Sequence, residues 1–331
     1  MCCLFGFIDY NNSLSSKQKN KVLSVLSREC EVRGTDATGI AFNDSEGLRI
    51  YKKALPAHKL NLYVSKDTKA VMGHTRLTTK GTEKHNYNNH PFSGMTTNAN
   101  FALAHNGVLR NDEQLREHEG LPSTRIQTDS FIAVQLIEKE NTLDFNSIRN
   151  MAEKVTGSFC FTILDDMDNL YFVKGDNPMS IYDFPDQGFI IYASTSDILN
   201  KAIKRLKLHK EYREEIRISE GEILRIDTRG ERNKQTFEFH DFYMSSLFGA
   251  FDYSRYFRNP YSANFEFDDM YALCGDEYLS PEDDDYISAL KALAPSYGMS
   301  ADAIDDLIAC GFSTDDIEDI MYSSNARDYS Y

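Results

Sequence analysis

The stretch from Met1 to Asp9 constrains the fold of this chain most, because a cysteine beside the initiator methionine precedes a continuous apolar run. Leu4 to Ile8 is apolar and prone to β structure, which predicts a buried strand. If Met1 is removed, the α-amino group of Cys2, with a pKa of about 8, can act as a base for the thiol of the same residue. The stretch predicts either a nucleophile held at the end of a core strand or a pair of small buried thiols.

Length and composition predict a globular protein with one large domain, or one domain and an appendage, since 331 residues can bury a full core. Neither a signal peptide nor an apolar run of about 18 residues is recognisable, so we expect a cytoplasmic protein with no membrane span. The same absence of a charged and apolar leader argues against an acylated N-terminal cysteine. The six cysteines show no Cys-x-x-Cys spacing, which argues against a disulfide framework and against a zinc site.

The charge is concentrated at one end of the chain. Residues 242–331 hold 18 acidic and four basic side chains, whereas residues 1–241 hold 33 acidic and 32 basic ones. A near-neutral body without a basic stripe has no means of displacing counterions from phosphates, so we expect no nucleic-acid partner.

Composition also divides the chain into three parts. Residues 1–241 alternate helical and strand patterns, and we predict one domain there. Residues 242–281 contain twelve Tyr or Phe among Asn, Asp and Ser, which predicts a linker or a segment that wraps the body. Residues 282–331 regain helical spacing in an acidic context and predict a small, mainly helical appendage.

The first chemically informative motif ends an apolar stretch with Gly73-His74-Thr75-Arg76, and Thr79 follows shortly after. A strand that finishes in this way places a guanidinium fork and hydroxyl groups beside one another, which suits a small carboxylate. The alternative is an arginine in a surface salt bridge.

A second apolar strand is predicted to stop at His105-Asn106-Gly107. Asn-Gly is typical of a hairpin turn. The chemical alternative is an oxyanion hole, in which the Asn106 amide and the Gly107 backbone N–H point at a developing negative oxygen. One such donor is typically worth about 3 to 4 kcal/mol in the transition state.

Three further motifs are weaker. Arg33 and Asp36 lie between two glycines before a predicted strand pair. Asp129 precedes an amphipathic run and is either part of a helix cap or a partner for a substrate ammonium group. His90, in a loop with Pro91, is more typical of a structural histidine, and no metal ligand stands at a suitable spacing from it, so we assign no metal.

Helical patterns dominate the first half of the body and strand patterns the second half, without strict βαβ alternation. This order favours an α+β fold, a layered sandwich with largely antiparallel sheets, over a doubly wound sheet.

Taken together, the motifs resemble the glutaminase domain of class II glutamine amidotransferases, as found in glucosamine-6-phosphate synthase, phosphoribosylpyrophosphate amidotransferase and asparagine synthetase. The resemblance covers residues 2–230, approximately. The matching blocks, in the order of the family, are Met1-Cys2-x-Leu4-Phe5-Gly6, Arg33-Gly34-x-Asp36-x-x-Gly39, Gly73-His74-Thr75-Arg76, Asn88-x-His90-Pro91, His105-Asn106-Gly107 and Thr128-Asp129-Ser130.

The resemblance implies an N-terminal-nucleophile hydrolase with a four-layer αββα sandwich. It implies that Cys2 attacks the side-chain amide of L-glutamine to form a thioester, with its own α-amine as the base. Asn106 and Gly107 would then hold the oxyanion.

By the same resemblance, Arg76 binds the α-carboxylate of glutamine, with Thr79 assisting there. Asp129 binds the α-ammonium group, and Arg33 braces the nucleophile's end of the site. The implied chemistry needs no cofactor.

The chain also departs from the family. Cys3 stands where the family commonly has glycine, and Leu77 stands where an aromatic is frequent. No acceptor domain is recognisable after residue 241, which leads us to expect a separate ammonia-accepting synthase as a partner. The alternatives are a free-standing amide hydrolase acting on γ-glutamyl or other small amides, and a non-catalytic interaction protein of the same fold.

Overall fold

The computed structural model describes residues 2–209 and 212–239, together with short runs at 287–288, 290–292, 294–297, 300–301 and 304–305 and the single residue 317. The chain divides into two compact units, Met1–Phe251 and Asp252–Tyr331. The predicted linker 242–281 lies outside the described residues, as does most of the predicted appendage 282–331. The division at 241 therefore stays a prediction.

The first unit contains helices and strands whose positions largely follow the sequence pattern. The helices are α1 (Ser16–Glu29), α2 (Asp112–His118), α3 (Phe131–Glu140), α4 (Phe145–Lys154) and α5 (Ser196–Leu206). The strands are β1 (Cys3–Ile8), β2 (Ala37–Asp44), β3 (Gly47–Lys53), β4 (Ala70–Arg76), β5 (Phe92–Met95), β6 (Asn100–Leu109), β7 (Gly157–Asp165), β8 (Leu170–Lys174), β9 (Ser180–Phe184), β10 (Phe189–Ala193), β11 (Glu214–Glu215), β12 (Glu222–Ile226) and β13 (Arg232–Thr236).

The strands form two antiparallel sheets. The first has seven strands in the order β11-β9-β10-β1-β4-β2-β3, and the second has six in the order β13-β12-β8-β7-β6-β5. Every described pairing is antiparallel. The prediction of a layered α+β sandwich with antiparallel sheets is therefore confirmed.

Three apolar clusters show how the layers stack. One cluster joins α1 and α5 to the first sheet, and another joins α3 and α4 to the second sheet. A third cluster lies between the sheets and includes Leu4 from β1, Met72 from β4 and Ala104 from β6. The central strands of each sheet are thus covered by helices on one face and by the other sheet on the other face, and they are apolar on both faces, whereas the edge strands β11 and β13 are exposed.

Strand β1 lies at the centre of the first sheet, between β10 and β4. All six of its residues are buried, which confirms the strand predicted from the apolar run. Helix α1 is capped by Ser15. Ser15 accepts the Gln18 N–H, and the Gln18 side chain accepts the Ser15 N–H, which forms a capping box.

The prediction that a strand stops at His105-Asn106-Gly107 is wrong, and so is the alternative of a hairpin turn there. β6 continues through these residues to Leu109 and pairs with β7 along its whole length. The Asn-Gly signal is local, whereas the strand is held by a partner more than fifty residues away. The short strands β5 and β9, of four and five residues, have patterns too brief to be recognised from the sequence.

The second unit is described only in part. Ile287, Leu290, Ala294, Ile304 and Ile317 are buried, and Ala294–Tyr297 form a 3₁₀ turn. In the part of the chain that the structure describes, no helix has the length and apolar character that a bilayer span requires.

Candidate active site

The strand register brings Cys2 next to Arg76. Cys3 lies opposite Thr75 in the antiparallel pairing of β1 with β4, so the residue before Cys3 and the residue after Thr75 are neighbours. Side chains alternate along a strand, and Leu4 and Met72 both point between the sheets. Cys2 and Arg76 are therefore expected on the same inner face, at the same end of the first sheet.

Asn106 faces this end from the second sheet. Ala102 and Ala104 in β6 belong to the cluster between the sheets, and Asn106 continues their alternation. The two sheets are tied together one residue earlier, where the His74 ring Nε2 lies 2.9 Å from the His105 carbonyl oxygen. The sandwich thus places a thiol, a guanidinium and a side-chain amide around one end of the space between its sheets.

The Cys2 thiol is only half-buried, and its sulfur lies 3.4 Å from the Leu77 carbonyl oxygen, to which the thiol donates. The Cys2 carbonyl oxygen accepts a hydrogen bond of 2.9 Å from Arg33 Nε. Packing around the sulfur raises the pKa of the Cys2 thiol; the charge of Arg76 opposes this shift and that of Asp129 adds to it. A thiol with a raised pKa stays protonated near neutral pH, so nucleophilic attack would require a base.

Arg76 is held in place by several contacts. Nη1 donates to Asn89 Oδ1 at 2.7 Å, and Nη2 donates to the carbonyl oxygens of Lys80 and Gly81 at 2.7 and 2.9 Å. The residue is 2 % exposed. Burial lowers the pKa of Arg76, and the neighbouring Cys2 and acidic groups counteract that shift. A guanidinium has five N–H donors, so two remain for a ligand.

Asn106 is fully buried, and neither its Nδ2 nor its Oδ1 has a hydrogen-bond partner within the described residues. A buried amide normally satisfies its hydrogen bonds, because leaving one unmade costs about 1 to 3 kcal/mol. The Asn106 amide therefore has an N–H donor that is free within the described residues, on the face of β6 that points toward the Cys2 end of the sandwich. Such a donor can bind the oxygen atom of a ligand.

Gly107 follows with a φ of 142°, a conformation that side chains rarely adopt. A Cβ added there would meet the Ser158 carbonyl oxygen at 1.9 Å and the Asn177 side-chain nitrogen at 2.8 Å. Glycine is therefore required by both backbone conformation and space.

Asp129 lies just before α3 and is 2 % exposed. Its Oδ2 accepts the Leu109 N–H at 2.6 Å, so the carboxylate anchors the end of β6. Its charge also acts on both Cys2 and Arg76. The structure thus places Asp129 near Cys2 and Arg76, while its Oδ2 is already bonded to the Leu109 N–H.

Thr79 is less closely tied to the site than the other predicted residues. It is exposed on the loop after β4, and nothing in the described chain joins its side chain to Cys2. The neighbouring Thr78 has a buried Oγ1 without a partner among the described residues, while its backbone N–H donates to Asp36 Oδ2 at 2.7 Å. The role of Thr79 stays a prediction.

Three buried histidines lie near this end of the sandwich. The rings of His74 and His90 are 4.2 Å apart, and His105 Nδ1 lies 2.7 Å from Ser130 Oγ. Burial lowers the pKa of His74 to about 3 and lowers those of His90 and His105 as well. Neutral, packed imidazoles agree with the structural interpretation of His90. Within the described ranges, no three His, Cys, Asp or Glu side chains are grouped to hold a metal ion.

Sequence reasoning missed the residues that hold the predicted ones. Asn89 binds Arg76, and Asp36 binds the backbone just beyond it, where its own N–H also donates to the Arg76 carbonyl oxygen at 3.0 Å. Asp36 is a named residue of one motif, whereas Asn89 stands at an unspecified position of another, so no sequence signal marked Asn89. The partners of both residues depend on the fold.

Sequence comparison gives independent information on this arrangement. A family profile described as "Glutamine amidotransferase domain" matches residues 74–201. The chain is similar to glutamine–fructose-6-phosphate aminotransferase (isomerizing) of Staphylococcus epidermidis, with 28 % identity over 237 residues, which are 69 % of this chain and 36 % of that protein. The Staphylococcus aureus protein of the same name is 30 % identical over 223 residues, covering 65 % and 34 %. The chain therefore spans only about a third of the length of these relatives.

Solved structures give the same picture for the fold. A phosphoribosylpyrophosphate amidotransferase from B. subtilis, complexed with ADP and GMP, matches with a TM-score of 0.55 at 21 % identity, over 72 % of this chain and 50 % of that one. An allosteric regulatory enzyme of purine biosynthesis matches with a TM-score of 0.56 at 20 % identity, over the same shares of the two chains. Residues 74–201 are therefore similar to a glutamine amidotransferase domain, and the similarity to the two staphylococcal relatives extends over about two thirds of the chain.

Proposed function

We propose that this chain hydrolyses the side-chain amide of L-glutamine to glutamate and ammonia, with Cys2 as the nucleophile. The observation that carries the proposal is the buried, unpartnered amide of Asn106, which continues the inner face of β6 toward the end of the sandwich where Cys2 lies. The domain match and the similarity to named glutamine-dependent aminotransferases support glutamine as the substrate.

In the proposed reaction, Met1 is removed, and the freed α-amine of Cys2 takes the proton of the thiol. The sulfur attacks the amide carbon, and the oxyanion receives hydrogen bonds from Asn106 and the Gly107 N–H. The carbon–nitrogen bond then breaks, and ammonia leaves with the proton that the α-amine carried. Water, activated by the same amine, hydrolyses the thioester, releases glutamate and restores the thiol. Met1 itself lies outside the described residues.

The remaining roles concern binding. Arg76 would hold the α-carboxylate through its two remaining donors, with Thr79 assisting, and Asp129 would hold the α-ammonium group. Arg33 would keep the Cys2 backbone in place through the bond from its Nε to the Cys2 carbonyl oxygen. The charges of Arg76 and Asp129 both act on the thiol, which supports their place beside the reacting carbon.

The finer assignments belong to the same proposal. They are a four-layer αββα sandwich of the N-terminal-nucleophile hydrolase type, a cytoplasmic location, and transfer of ammonia to an acceptor on a separate synthase. The two staphylococcal relatives are named as aminotransferases that act on glutamine and fructose 6-phosphate. This name supports transfer of the ammonia to an acceptor rather than its simple release.

The proposal is tested by measuring glutamate release from L-glutamine by the purified full chain, together with its intact mass. We expect loss of Met1, covalent labelling of Cys2 by a glutamine-like diazo ketone, and a rate that Cys2→Ala lowers by about 10⁴-fold or more while the protein stays folded. Ser93→Ala, a change at an exposed position of the edge strand β5, is the control and should keep its activity.

Two results would contradict the proposal. Absence of both Cys2 labelling and glutamate release would remove the nucleophile. Faster hydrolysis of asparagine or of a γ-glutamyl amide than of glutamine would reject the assigned substrate.

A further inference from the structure

Cys3 and Cys30 form a pair of buried thiols on the helix-side face of the first sheet. Their sulfur atoms are 2.9 Å apart, both residues are fully buried, and both thiols are free. A disulfide bond measures about 2.05 Å, so an approach of about an ångström would join them. Because side chains alternate along β1, this pair lies on the opposite face of the sheet from Cys2.

The two cysteines belong to the segments that hold the proposed nucleophile. Cys3 is the first residue of β1 and follows Cys2 directly. Cys30 begins the 3₁₀ turn Cys30–Arg33, and Arg33 Nε donates to the Cys2 carbonyl oxygen at 2.9 Å. The Cys30 carbonyl oxygen accepts a bond of 3.0 Å from Thr75, opposite Cys3 in the sheet. A covalent link here would connect the two supports of Cys2.

The two thiols differ in acidity. Burial raises the pKa of Cys3, but the adjacent Cys30 thiol and hydrogen bonding at Ser194 outweigh it, so that this pKa lies below its ordinary value. Burial and the neighbouring Cys3 hold the pKa of Cys30 well above its ordinary value. Each thiol thus changes the acidity of the other, and the thiolate is the species that reacts with oxidants and disulfides. We assign the first reaction to Cys3 by position, because it directly follows the partly buried Cys2.

We propose that Cys3 and Cys30 are a reversible oxidation site, which a peroxide converts to an intrachain disulfide. The Cys3 thiolate attacks one peroxide oxygen, the O–O bond breaks, and the hydroxide released takes up a proton to become water. The Cys30 sulfur then attacks the resulting sulfenic acid, the S–S bond forms, and the second water leaves with the Cys30 proton. The two thiols lose two electrons, and hydrogen peroxide is reduced to two molecules of water.

Access to the buried pair comes from the start of the strand. Cys3 is the first residue of β1, and its neighbour Cys2 is partly buried rather than fully enclosed. Access to the pair therefore requires local fraying of the first residues of β1, and hydrogen peroxide is small enough to enter such an opening.

Oxidation has two expected consequences. The disulfide restricts the unfolded chain between residues 3 and 30, so the Tm of the oxidised protein rises by about 5 to 10 °C. It also pulls β1 toward the turn that carries Arg33. A displacement of about an ångström near a reacting group can lower a rate by about a hundredfold, and we expect glutamine hydrolysis to fall by about tenfold or more. This second consequence rests on the proposed function.

The chemical test uses the Cys2→Ala protein, because that variant removes the adjacent thiol and needs no enzymatic activity. The protein is treated with hydrogen peroxide, its free thiols are alkylated, and peptides are mapped by mass spectrometry without reduction. We expect a peptide pair that links Cys3 to Cys30, is lost after dithiothreitol, is absent in Cys2→Ala/Cys30→Ala and is retained in Cys2→Ala/Cys160→Ala. If Cys30→Ala does not fold, Cys30→Ser replaces it.

Absence of the linked peptide after peroxide treatment, with both thiols still alkylated in the unfolded sample, would overturn the proposal whatever the activity of the enzyme. The activity test compares wild type with Cys30→Ala before oxidation, after it and after dithiothreitol. Loss and recovery in the wild type alone is the expected result. Equal loss and recovery in both proteins would assign the sensitivity to Cys2 and overturn the proposed control of activity.

Discussion

Buried polar side chains lie at both ends of β1, but only those at the far end have all their hydrogen bonds made within the described residues. At the far end, Asp9 and Lys19 form an ion pair of 3.0 Å with no exposed side-chain surface. Asp9 also accepts the backbone N–H groups of Ser13 and Leu14, and Lys19 donates to Asn12 and to two backbone carbonyl oxygens. Both charged groups therefore have several hydrogen-bond partners among the described residues.

At the near end, the polar groups are not all paired. Asn106 is as deeply buried as Lys19, but its amide has no partner among the described residues. A buried polar network in which every group is hydrogen-bonded stabilises the fold. A buried polar group without a hydrogen-bond partner lowers stability unless a bound ligand supplies the partner. Burial alone therefore does not identify a functional residue in this protein. Missing hydrogen-bond partners do not identify one alone either, since both ring nitrogens of the structural His90 also lack partners among the described residues; the position of Asn106 opposite the Cys2 end distinguishes it.

The largest effect is expected from breaking the closed network. Lys19→Met leaves the Asp9 carboxylate buried without its ammonium partner and should lower the free energy of unfolding by about 3 to 5 kcal/mol. Denaturant unfolding measures the change, and Lys17→Met, at an exposed position on α1, is the control, with an expected change within about 0.5 kcal/mol. A loss below about 1 kcal/mol for Lys19→Met would show that the closed network contributes little.

At the Cys2 end of β1, a substitution should lower the catalytic rate more than the free energy of unfolding. Asn106→Ala should lower kcat for glutamine by about 10² to 10³, because it removes a donor to the oxyanion, while the free energy of unfolding changes by about 1 kcal/mol or less. Steady-state kinetics and denaturant unfolding measure the two quantities. Asn98→Ala is the matched control, since Asn98 bonds the Leu143 backbone through both its oxygen and its nitrogen. It should lose stability and keep kcat, and the reverse pattern in the two variants would refute the comparison.

An ion-pair network around Glu119, whose lysines are more exposed than Lys19, tests whether fully paired charges stabilise the fold when solvent is nearby. Glu119 pairs with Lys139 at 2.6 Å and Lys154 at 2.9 Å, and these bonds lower its pKa from 4.5 to about 2. A carboxylate with a lowered folded-state pKa contributes stability above its unfolded pKa, and that contribution is lost as the pH falls from about 4.5 through about 2.

Because the two lysines are 45 % and 35 % exposed, solvent screens the pairs, and Glu119→Gln should cost about 1 kcal/mol at pH 7. The cost should vanish near pH 2. Unfolding at both pH values measures it, with the exposed Glu117→Gln as control. An unchanged cost at pH 2 would mean that packing rather than charge is responsible.

Local elements with strong patterns were predictable from the sequence. β1 follows from an uninterrupted apolar run. The helices α4 and α5 each begin directly after a capping side chain, Asp144 and Thr195, a type of start that a sequence can reveal. The continuation of β6 through Asn106-Gly107 was not predictable, because pairing with β7 overrides the turn preference of that dipeptide.

For the candidate site, the sequence by itself determined the list of chemical groups. These groups are a thiol at the start of a core strand, an arginine at the end of another strand, an Asn-Gly pair and an aspartate. Each was recognisable because it stands at a fixed position within a motif. The resemblance to a known family rested on those residues alone, and the domain match agrees with it.

Only the tertiary structure decided how these groups meet. The β1–β4 register sets Cys2 beside Arg76, and stacking of the second sheet brings Asn106 to face the same space. The structure also turned Cys3 away from the nucleophile and set it against Cys30, a residue 27 positions later. Such contacts depend on strand pairing and layer packing between distant segments, which local sequence preferences do not encode.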